Sequence, residues 1–218
     1  MESRSRTRRY GGWWWLVHPV LLLLLAAPAS ADPRAPLIWA FGDSLTAGYG
    51  LPPAQGFPAQ LQAELRRQGV PATVRNGGVA GDTAAQGRAR LRWGLRGLKA
   101  RPDLVIVELG ANDMLRGLPV AQAEANLDRI LTELRARNIP VLLAGMRAAP
   151  NMGGDYARAF EGMYPALAKK HRVALYPFFL DGVAGRRALF QADGLHPDPR
   201  GVAIIVRRIV SAVRRALK

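Results

Sequence analysis

The chain has 218 residues, 49% of them hydrophobic and 22% charged, which is typical of a globular protein, and it contains no cysteine. The lack of cysteine excludes a thiol nucleophile, a lipid-modified cysteine and a zinc site built on thiolates. The formal net charge of +15 suggests polyanionic partners, but the arginines are scattered over amphipathic segments, so we expect no nucleic-acid binding and only loose contact with an anionic membrane surface.

The N-terminal segment, residues 1–31, is predicted to be a signal peptide. An arginine-rich head precedes the apolar stretch "WWWLVHPVLLLLLAAPA", and Ala29-Ser30-Ala31 has the small-x-small pattern of a signal peptidase site. Cleavage near Ala31 leaves one domain, residues 32–218, with a charge of about +12, in the periplasm or outside the cell. A permanent membrane anchor is the alternative, although the apolar stretch is just short of the roughly 20 residues that span a bilayer. The Arg8-Arg9 pair leaves Sec and twin-arginine export open.

Beyond this segment, apolar β-rich runs alternate with segments of helical periodicity. The runs are "PLIWAFG" from Pro36, "PATVRNGG" from Pro71, "DLVIVELG" from Asp103, "PVLLAGM" from Pro140 and "RVALYPFF" from Arg172. Apolar residues recur at i, i+3, i+4 and i+7 over residues 54–68, 83–100, 120–138, 156–170 and 199–217. Runs as uniformly apolar as "LVIV" suit strands that are covered on both faces. The pattern therefore predicts the α/β class, as a three-layer α/β/α domain with a five-stranded parallel sheet.

Polar residues and glycines follow each predicted strand. In an open parallel sheet the functional site lies outside the carboxyl ends of the strands. Residues 42–48, "GDSLTAG", fit neither a P-loop nor a dinucleotide-binding loop, and Asp43 would repel a phosphate. The glycines of "NGGVAGD" are spaced more like a dinucleotide fingerprint, but they follow the second strand and lack the usual acidic ribose ligand. A phosphate-binding function is therefore only weakly indicated.

Ser44 in "GDSL" is a candidate nucleophile, which needs a general base and a group that orients the base. Of the three histidines, His18 leaves with the signal peptide and His171 is expected to be solvated at a helix-to-strand corner. His196 follows Asp193 by three residues, a spacing that puts both side chains on one side of a turn. Asp193 can then fix the tautomer of His196 and stabilise its protonated form. Taken alone, the same spacing also fits a capped loop before the last helix.

Acyl transfer also needs donors for the developing oxyanion. Three candidates follow predicted strands: the backbone amide of Ser44, the amide of Gly81, which no side chain shields, and Asn112 in "GANDML". Each of the last two has a structural alternative. Asn112 could cap a helix, and Gly81 could form a turn before Asp82 caps the next helix.

Together these segments resemble the SGNH (GDSL) hydrolases, whose four ordered blocks match Gly42-Asp43-Ser44-Leu45, Gly81, Asn112 and Asp193-Gly194-Leu195-His196. The similarity covers nearly the whole chain after the signal peptide. It is closest to the multifunctional acyl-CoA thioesterase I/protease I/lysophospholipase L1 group, which also includes arylesterases.

The resemblance implies a flavodoxin-like fold and a catalytic triad in which Ser44 is the nucleophile, His196 the base and Asp193 its partner. It implies an oxyanion hole formed by Ser44 N, Gly81 N and Asn112 Nδ2, and it implies no metal or cofactor. Asp43 is expected to hold the turn through backbone hydrogen bonds rather than to take part in proton transfer.

The expected substrates are carboxylic esters and thioesters of short-to-medium acyl chains, including lysophospholipids. Apolar side chains near the predicted site could line an acyl groove or simply pack in the core; they are Leu45, Met114, Leu118 and Met152, with Leu51 and Phe57 as further candidates. A carbohydrate O-acetylesterase of the same superfamily is the alternative enzyme, and it would have polar groove walls. A non-catalytic binding domain on the same scaffold is the third possibility.

Overall fold

The structure, a computed structural model, describes residue 2 and residues 34–217. The chain divides between Arg34 and Ala35 into two units, and the sheet and helices all belong to the second, Ala35–Lys218. Apart from residue 2, the predicted signal peptide lies outside the described residues. Within the described part, no helix combines the length and apolar character needed to cross a membrane.

The centre of the fold is a five-stranded sheet with strand order β2-β1-β3-β4-β5, in which every pairing is parallel. Its strands are β1 (Leu37–Gly42), β2 (Thr73–Gly78), β3 (Leu104–Glu108), β4 (Val141–Ala144) and β5 (Ala174–Tyr176). The most uniformly apolar runs form the inner strands β1, β3 and β4, whose residues are almost all buried, whereas β2 and β5 at the edges are partly exposed. The predicted fold class and five-stranded parallel sheet are confirmed.

Seven α-helices accompany the sheet in residues 34–217: α1 (Ser44–Ala47), α2 (Phe57–Arg67), α3 (Ala84–Arg96), α4 (Ala111–Leu115), α5 (Val120–Ala136), α6 (Gly154–His171) and α7 (Pro199–Ala216). The chain leaves β1 in one direction to form β2 and then returns past it to form β3. Right-handed crossovers therefore place α2 on one face of the sheet and α3, α5 and α6 on the other. Helix α7 packs against α2, while α3, α5 and α6 pack side by side.

Helix α7 fixes the end of the loop that precedes it. Asp198 caps its N-terminus by accepting a hydrogen bond from the Gly201 amide at 2.8 Å, and Pro199 occupies the first helical position, where no amide proton is needed. One stripe of the helix is buried, formed by Val202, Ile205, Val206, Ile209, Val210 and Val213. Each such side chain contributes about 1.5–3 kcal/mol on burial, so the last helix holds its preceding loop firmly against the domain.

Some helix boundaries differ from those predicted from the sequence, and two short helices were not predicted. Helix α3 ends at Arg96 rather than at residue 100, because Gly97 caps it. Helix α2 begins at Phe57, after a separate 3₁₀ turn over Pro53–Gln55. The one-turn helices α1 and α4 were not predicted as helices, since so few residues carry no 3.6-residue period.

Candidate active site

Ser44 lies where β1 ends and α1 begins. Asp43 caps this short helix, with its Oδ1 accepting a hydrogen bond from the Leu45 amide at 3.0 Å. As the first helical residue, Ser44 has a backbone N–H without an intrahelical acceptor. Gly48, in the left-handed region at φ 77°, ends the helix after one turn. The turn thus presents the hydroxyl and the amide of Ser44 at the carboxyl edge of the sheet.

His196 and Asp193 reach the same place from the other end of the chain. His196 Nε2 lies 2.9 Å from Ser44 Oγ, and His196 Nδ1 lies 2.7 Å from Asp193 Oδ2. With the ring proton on Nδ1, the imidazole donates to Asp193 and accepts from the Ser44 hydroxyl. The three side chains form one continuous series of hydrogen bonds across 152 residues of sequence.

Asp193 is held in its ionised form by the loop that carries it. Its Oδ1 accepts from the backbone amides of Leu195 at 2.9 Å and His196 at 3.1 Å. The side-chain hydrogen bond with His196, with these two amides, lowers the pKa of Asp193 to about 2. The Tyr49 ring packs against the imidazole, with ring centroids 4.6 Å apart. At neutral pH the His196 ring therefore faces a carboxylate on one side and an aromatic ring on another.

Asn112 Nδ2 lies between two acceptors, Asp82 O at 3.0 Å and Asp43 Oδ2 at 3.1 Å. The first contact places the Asn112 amide beside the segment that carries Gly81. Gly81 itself has φ 85°, which suits glycine, and its carbonyl accepts from Arg116 Nη2 at 2.7 Å. The predicted oxyanion donors thus come from loops that meet at one edge of the sheet.

The structural alternatives for these loops hold only in part: Gly81 does lie in a turn, but neither expected helix cap is present. Asn112 is not a helix cap, because α4 has Gly110 at its N-cap position. Asp82 does not cap α3, because Thr83 does so in a capping box with Gln86. Asp82 instead pairs with Arg90.

A cavity of about 610 Å³ opens beside Ser44, Asn112 and His196. Its walls are mainly apolar and include Leu45, Met114, Leu115, Met146, Phe178, Leu180, Phe190 and Leu195. Of the side chains named from the sequence, Leu45 and Met114 line it. Leu118 and Met152 are not among its lining residues: the Leu118 carbonyl accepts from the Tyr156 hydroxyl at 3.1 Å, and Met152 packs partly buried against the core. Of the two further candidates, Phe57 is a core residue against Phe179.

Two residues that hold the His196 loop were missed by the sequence analysis. Gln191 Nε2 donates to Tyr49 O at 2.8 Å and to Pro197 O at 3.1 Å, which ties the loop to the chain after Ser44. Arg187 donates to the carbonyls of Gln191 and Ala192, both at 2.7 Å. Both side chains donate hydrogen bonds to backbone carbonyls, either far along the chain or across a loop. No spacing of residues in the sequence predicts such contacts.

His171 is not solvated, contrary to the sequence prediction. Helix α6 continues through His171, which is 5% exposed, and its Nε2 lies 2.6 Å from Asp128 Oδ1 on α5. Lys170 contacts the same carboxylate. The buried His171 and its partner Asp128 are therefore part of the contact between α5 and α6. In the described part of the chain, no group of three or more histidine and acidic side chains could hold a metal ion.

Comparison with known proteins gives consistent matches. The model of the GDSL-like Lipase/Acylhydrolase family matches residues 40–204. The chain is 44% identical to Esterase TesA of Pseudomonas aeruginosa over 72% of this chain and 77% of that protein. It is 40% identical to Thioesterase 1/protease 1/lysophospholipase L1 of Escherichia coli strain K12 over 72% and 73%. The crystal structure of AlinE4, an SGNH-hydrolase family esterase, superposes with a TM-score of 0.72 at 50% identity, covering 84% of this chain and 97% of that one.

Proposed function

Since the chain belongs to the GDSL-like lipase/acylhydrolase (SGNH hydrolase) family and is a carboxylic-ester hydrolase of it, we propose that it works through a Ser44-His196-Asp193 triad. The observation that carries the proposal is the series of hydrogen bonds from Asp193 through His196 to Ser44, 2.7 and 2.9 Å long. These distances are within the range in which a base can remove a hydroxyl proton.

In the acylation step, Ser44 Oγ attacks the carbonyl carbon of the ester or thioester while His196 Nε2 accepts its proton. The carbonyl oxygen becomes an oxyanion, for which Ser44 N, Gly81 N and Asn112 Nδ2 are the proposed donors. Asp193 stabilises the imidazolium that forms. The tetrahedral intermediate then collapses, the bond to the leaving group breaks, and His196 returns the proton to the departing alcohol or thiol.

In the deacylation step, a water molecule takes the position of the leaving group. His196 removes a proton from this water, and the hydroxide attacks the acyl-serine carbonyl. Collapse of the second intermediate returns the proton to Ser44 Oγ and releases the carboxylic acid. The same three side chains thus serve both steps.

The cavity supports short-to-medium acyl chains as substrates. Its walls beside Ser44 are mostly aliphatic and aromatic carbon, which stabilises an acyl chain by removing it from water. The alternative carbohydrate O-acetylesterase needs polar groups that hydrogen-bond to sugar hydroxyls. A chain-length series from acetyl to dodecanoyl p-nitrophenyl esters should show a rise in kcat/KM beyond acetyl; a maximum at acetyl would favour the deacetylase instead.

The decisive experiment replaces the nucleophile. Ser44→Ala should lower kcat for p-nitrophenyl butyrate by about 10⁴-fold or more and abolish labelling by a fluorophosphonate probe. Ser211→Ala, which changes an exposed serine on α7, is the matched control and should leave both readouts unchanged. Turnover and labelling near wild type in Ser44→Ala would rule out the triad and would point to another serine as the labelled residue.

Contact with an anionic lipid surface is supported by the apolar side chains around the active-site mouth. Three of the five exposed large apolar residues of the described chain lie at this mouth: Tyr49 packs against His196, and Leu115 and Leu195 line the cavity beside Ser44. The other two, Val79 and Trp93, line a separate groove beside β2 and α3. The charge of about +12 on residues 32–218 adds a long-range attraction to anionic headgroups.

Vesicle sedimentation tests this contact. The mature protein should bind phosphatidylglycerol vesicles and bind phosphatidylcholine vesicles much more weakly. The Leu115→Ser/Leu195→Ser double variant should weaken binding by about tenfold, because it removes apolar area that would enter the lipid, whereas the control Trp93→Ser, in the separate groove, should not. Unchanged binding in both variants would show that binding depends on charge alone, and an equal loss in both would show that the apolar contact is not confined to the active-site mouth.

Export before activity follows from the proposed signal peptide. The mature enzyme should begin near residue 32 when isolated from cells that secrete it, and N-terminal mass analysis measures this directly. A membrane-bound product that retains residues 1–31 would instead support the anchor.

A further inference from the structure

Two carboxyl groups lie side by side beneath Ser44, and the proposed triad mechanism uses neither for proton transfer. Asp43 follows β1 and Glu108 ends β3, and the sheet register pairs Gly42 with Glu108. Both side chains are 0% exposed. A Cβ at Gly42 would lie 2.7 Å from Glu108 Oε2 and 2.2 Å from Thr46 Oγ1, so the missing side chain at Gly42 makes room for this carboxyl.

The two carboxyls have different partners. Asp43 accepts from the Leu45 amide through Oδ1 and from Asn112 Nδ2 through Oδ2. Glu108 Oε2 accepts from the Thr46 hydroxyl at 2.7 Å. Glu108 Oε1 is buried and has no hydrogen-bond partner among the described residues, although the Asp43 amide faces the Glu108 carboxyl; the two carboxyls are also within hydrogen-bonding reach of each other. A carboxyl oxygen that faces a hydrogen-bond acceptor can form a hydrogen bond with it only if the oxygen carries a proton.

Burial also opposes ionisation of both groups. Two other ionisable groups face the pair: Tyr164 of α6, which interacts with both carboxyls, and His196, which interacts with Asp43. Burial, and then the charge of Asp43, raises the pKa of Glu108 well above its usual value, whereas burial raises the pKa of Asp43 to about 6. Two buried carboxylates in contact do not both ionise, so one proton stays on the pair at neutral pH. Asp43 accepts hydrogen bonds from two donors, the Leu45 amide and Asn112 Nδ2, whereas Glu108 Oε1 has no hydrogen-bond partner among the described residues, and this difference places the proton on Glu108.

We propose that Glu108 is a positioning residue that remains a neutral acid and donates a hydrogen bond to Asp43, whose carboxylate in turn holds Asn112 Nδ2 at the oxyanion site. The proposal rests on the proposed function only in its last link, the role of Asn112. The resulting series runs from the Thr46 hydroxyl through Glu108 and Asp43 to the Asn112 amide.

The proton has two consequences for catalysis. It fixes the Asp43 carboxylate from a second side, so the Asn112 amide has one orientation before substrate arrives. It also limits the charge beneath the oxyanion to one unit. An ionised Glu108 would place a second negative charge close to the position where the transition state becomes negative, in surroundings that screen charge poorly.

Variants at Glu108 separate hydrogen bonding from ionisation. Glu108→Gln keeps an NH₂ donor for Asp43 and a carbonyl acceptor for Thr46, so it should retain kcat within about threefold. Glu108→Leu keeps a similar volume without polar atoms, and it should lower kcat by about 10- to 100-fold with little change in KM, since Asn112 loses its orientation. Similar losses in the two variants would overturn the proposal.

The pH profile provides a readout that a merely structural role would not affect. Wild-type kcat should fall at alkaline pH as Glu108 ionises, and Glu108→Gln should not show this fall. An identical alkaline limb in the two proteins would contradict the assignment.

Infrared spectroscopy tests the proton itself in the wild-type enzyme. At pH 7.5 a carboxylic acid C=O band should be present, should vanish in Glu108→Gln, and should shift in Thr46→Val, which removes the hydroxyl that donates to Glu108. If Glu108→Gln fails to fold, the Thr46→Val shift identifies the band. A spectrum without such a band, or a band that neither change affects, would refute the neutral acid. This readout does not involve Ser44, so it distinguishes failure of this proposal from failure of the triad, which Ser44→Ala reports.

Discussion

Asp193 uses both carboxylate oxygens on its own loop. One oxygen accepts from the His196 ring and the other from two backbone amides, so the carboxylate orients the ring and shapes the turn at the same time. The pKa of about 2 keeps this arrangement intact through the whole range in which an esterase works. Loss of activity on mild acidification therefore does not come from Asp193.

Replacing Asp193 should damage catalysis much more than stability. In Asp193→Asn the side chain keeps its shape, but its amide favours the wrong tautomer of His196, so kcat should fall by about 10²- to 10⁴-fold. Thermal unfolding should change little, because this carboxylate lies at the surface. Asp155→Asn, at an exposed carboxylate of α6, serves as the control in steady-state kinetics. Nearly unchanged kcat in Asp193→Asn would show that His196 needs no orienting carboxylate.

Glu108 should make stability depend on pH in a definite direction. Below about pH 4.5, the ordinary pKa of glutamate, the carboxyl is protonated in both the folded and the unfolded chain. Above it, only the unfolded chain releases the proton, so the free energy of unfolding falls by up to about 1.4 kcal/mol per pH unit until the raised folded-state pKa is reached.

Urea titrations from pH 5 to 8 can measure this slope. The Glu108→Gln variant has no carboxyl at this position to ionise. Its free energy of unfolding should therefore increase relative to that of the wild type as the pH rises. A constant difference between the two proteins across this range would mean that the folded-state pKa of Glu108 is ordinary.

At the scale of the elements, the proposed site residues Ser44, Gly81 and Asn112 each follow a strand, and this much was readable in the sequence. Apolar runs predicted the strands because both faces of a parallel sheet are covered. The short helices α1 and α4, which carry Ser44 and Asn112, were not predicted, because a single turn shows no periodicity. Their geometry depends on the neighbouring segments, such as the close contact between the end of β2 and α1.

Alanine substitutions at two glycines, Gly78 at this contact and Gly162 away from it, should have opposite effects on stability. A Cβ at Gly78 would lie 2.2 Å from Ala47 N, so Gly78→Ala should force α1 away from β2. We expect a loss of about 1–3 kcal/mol in stability together with reduced kcat, since α1 begins with Ser44. Gly162 lies within α6 with nothing within 4 Å of an added Cβ, so Gly162→Ala should gain about 0.5–1 kcal/mol. Chemical denaturation compares the two, and a stable, active Gly78→Ala would show that α1 adapts freely.

At the scale of the whole molecule, the described residues from 34 onward contain the complete sheet, its helices and every proposed catalytic group. A chain that begins at residue 32 should therefore fold alone. It should have the kcat/KM and, within about 2 °C, the Tm of the protein processed by the secreting cell. Calorimetry and esterase assays of the two preparations test this. An aggregated or inactive short chain would indicate that residues 1–31 are needed during folding.

Some properties followed from the sequence by itself. Apolar runs and helical periodicity are local, so the order of the five strands and the five longer helices, the α/β class and the turn residues after each strand could be read along the chain. The four blocks of the hydrolase family could be recognised in the same way, because each is contiguous. These features needed no knowledge of which segments meet.

Other properties were decided only by the tertiary structure. Ser44 and His196 are 152 residues apart, and Thr46 and Glu108 are 62 apart, so their contacts exist only because the strands pair in a particular order and register. The buried state of His171, the cavity walls and the burial of Asp43 beside Glu108 depend equally on packing between distant segments. Burial and electrostatic coupling are properties of a side chain's surroundings in space, and residue spacing along the chain does not contain them.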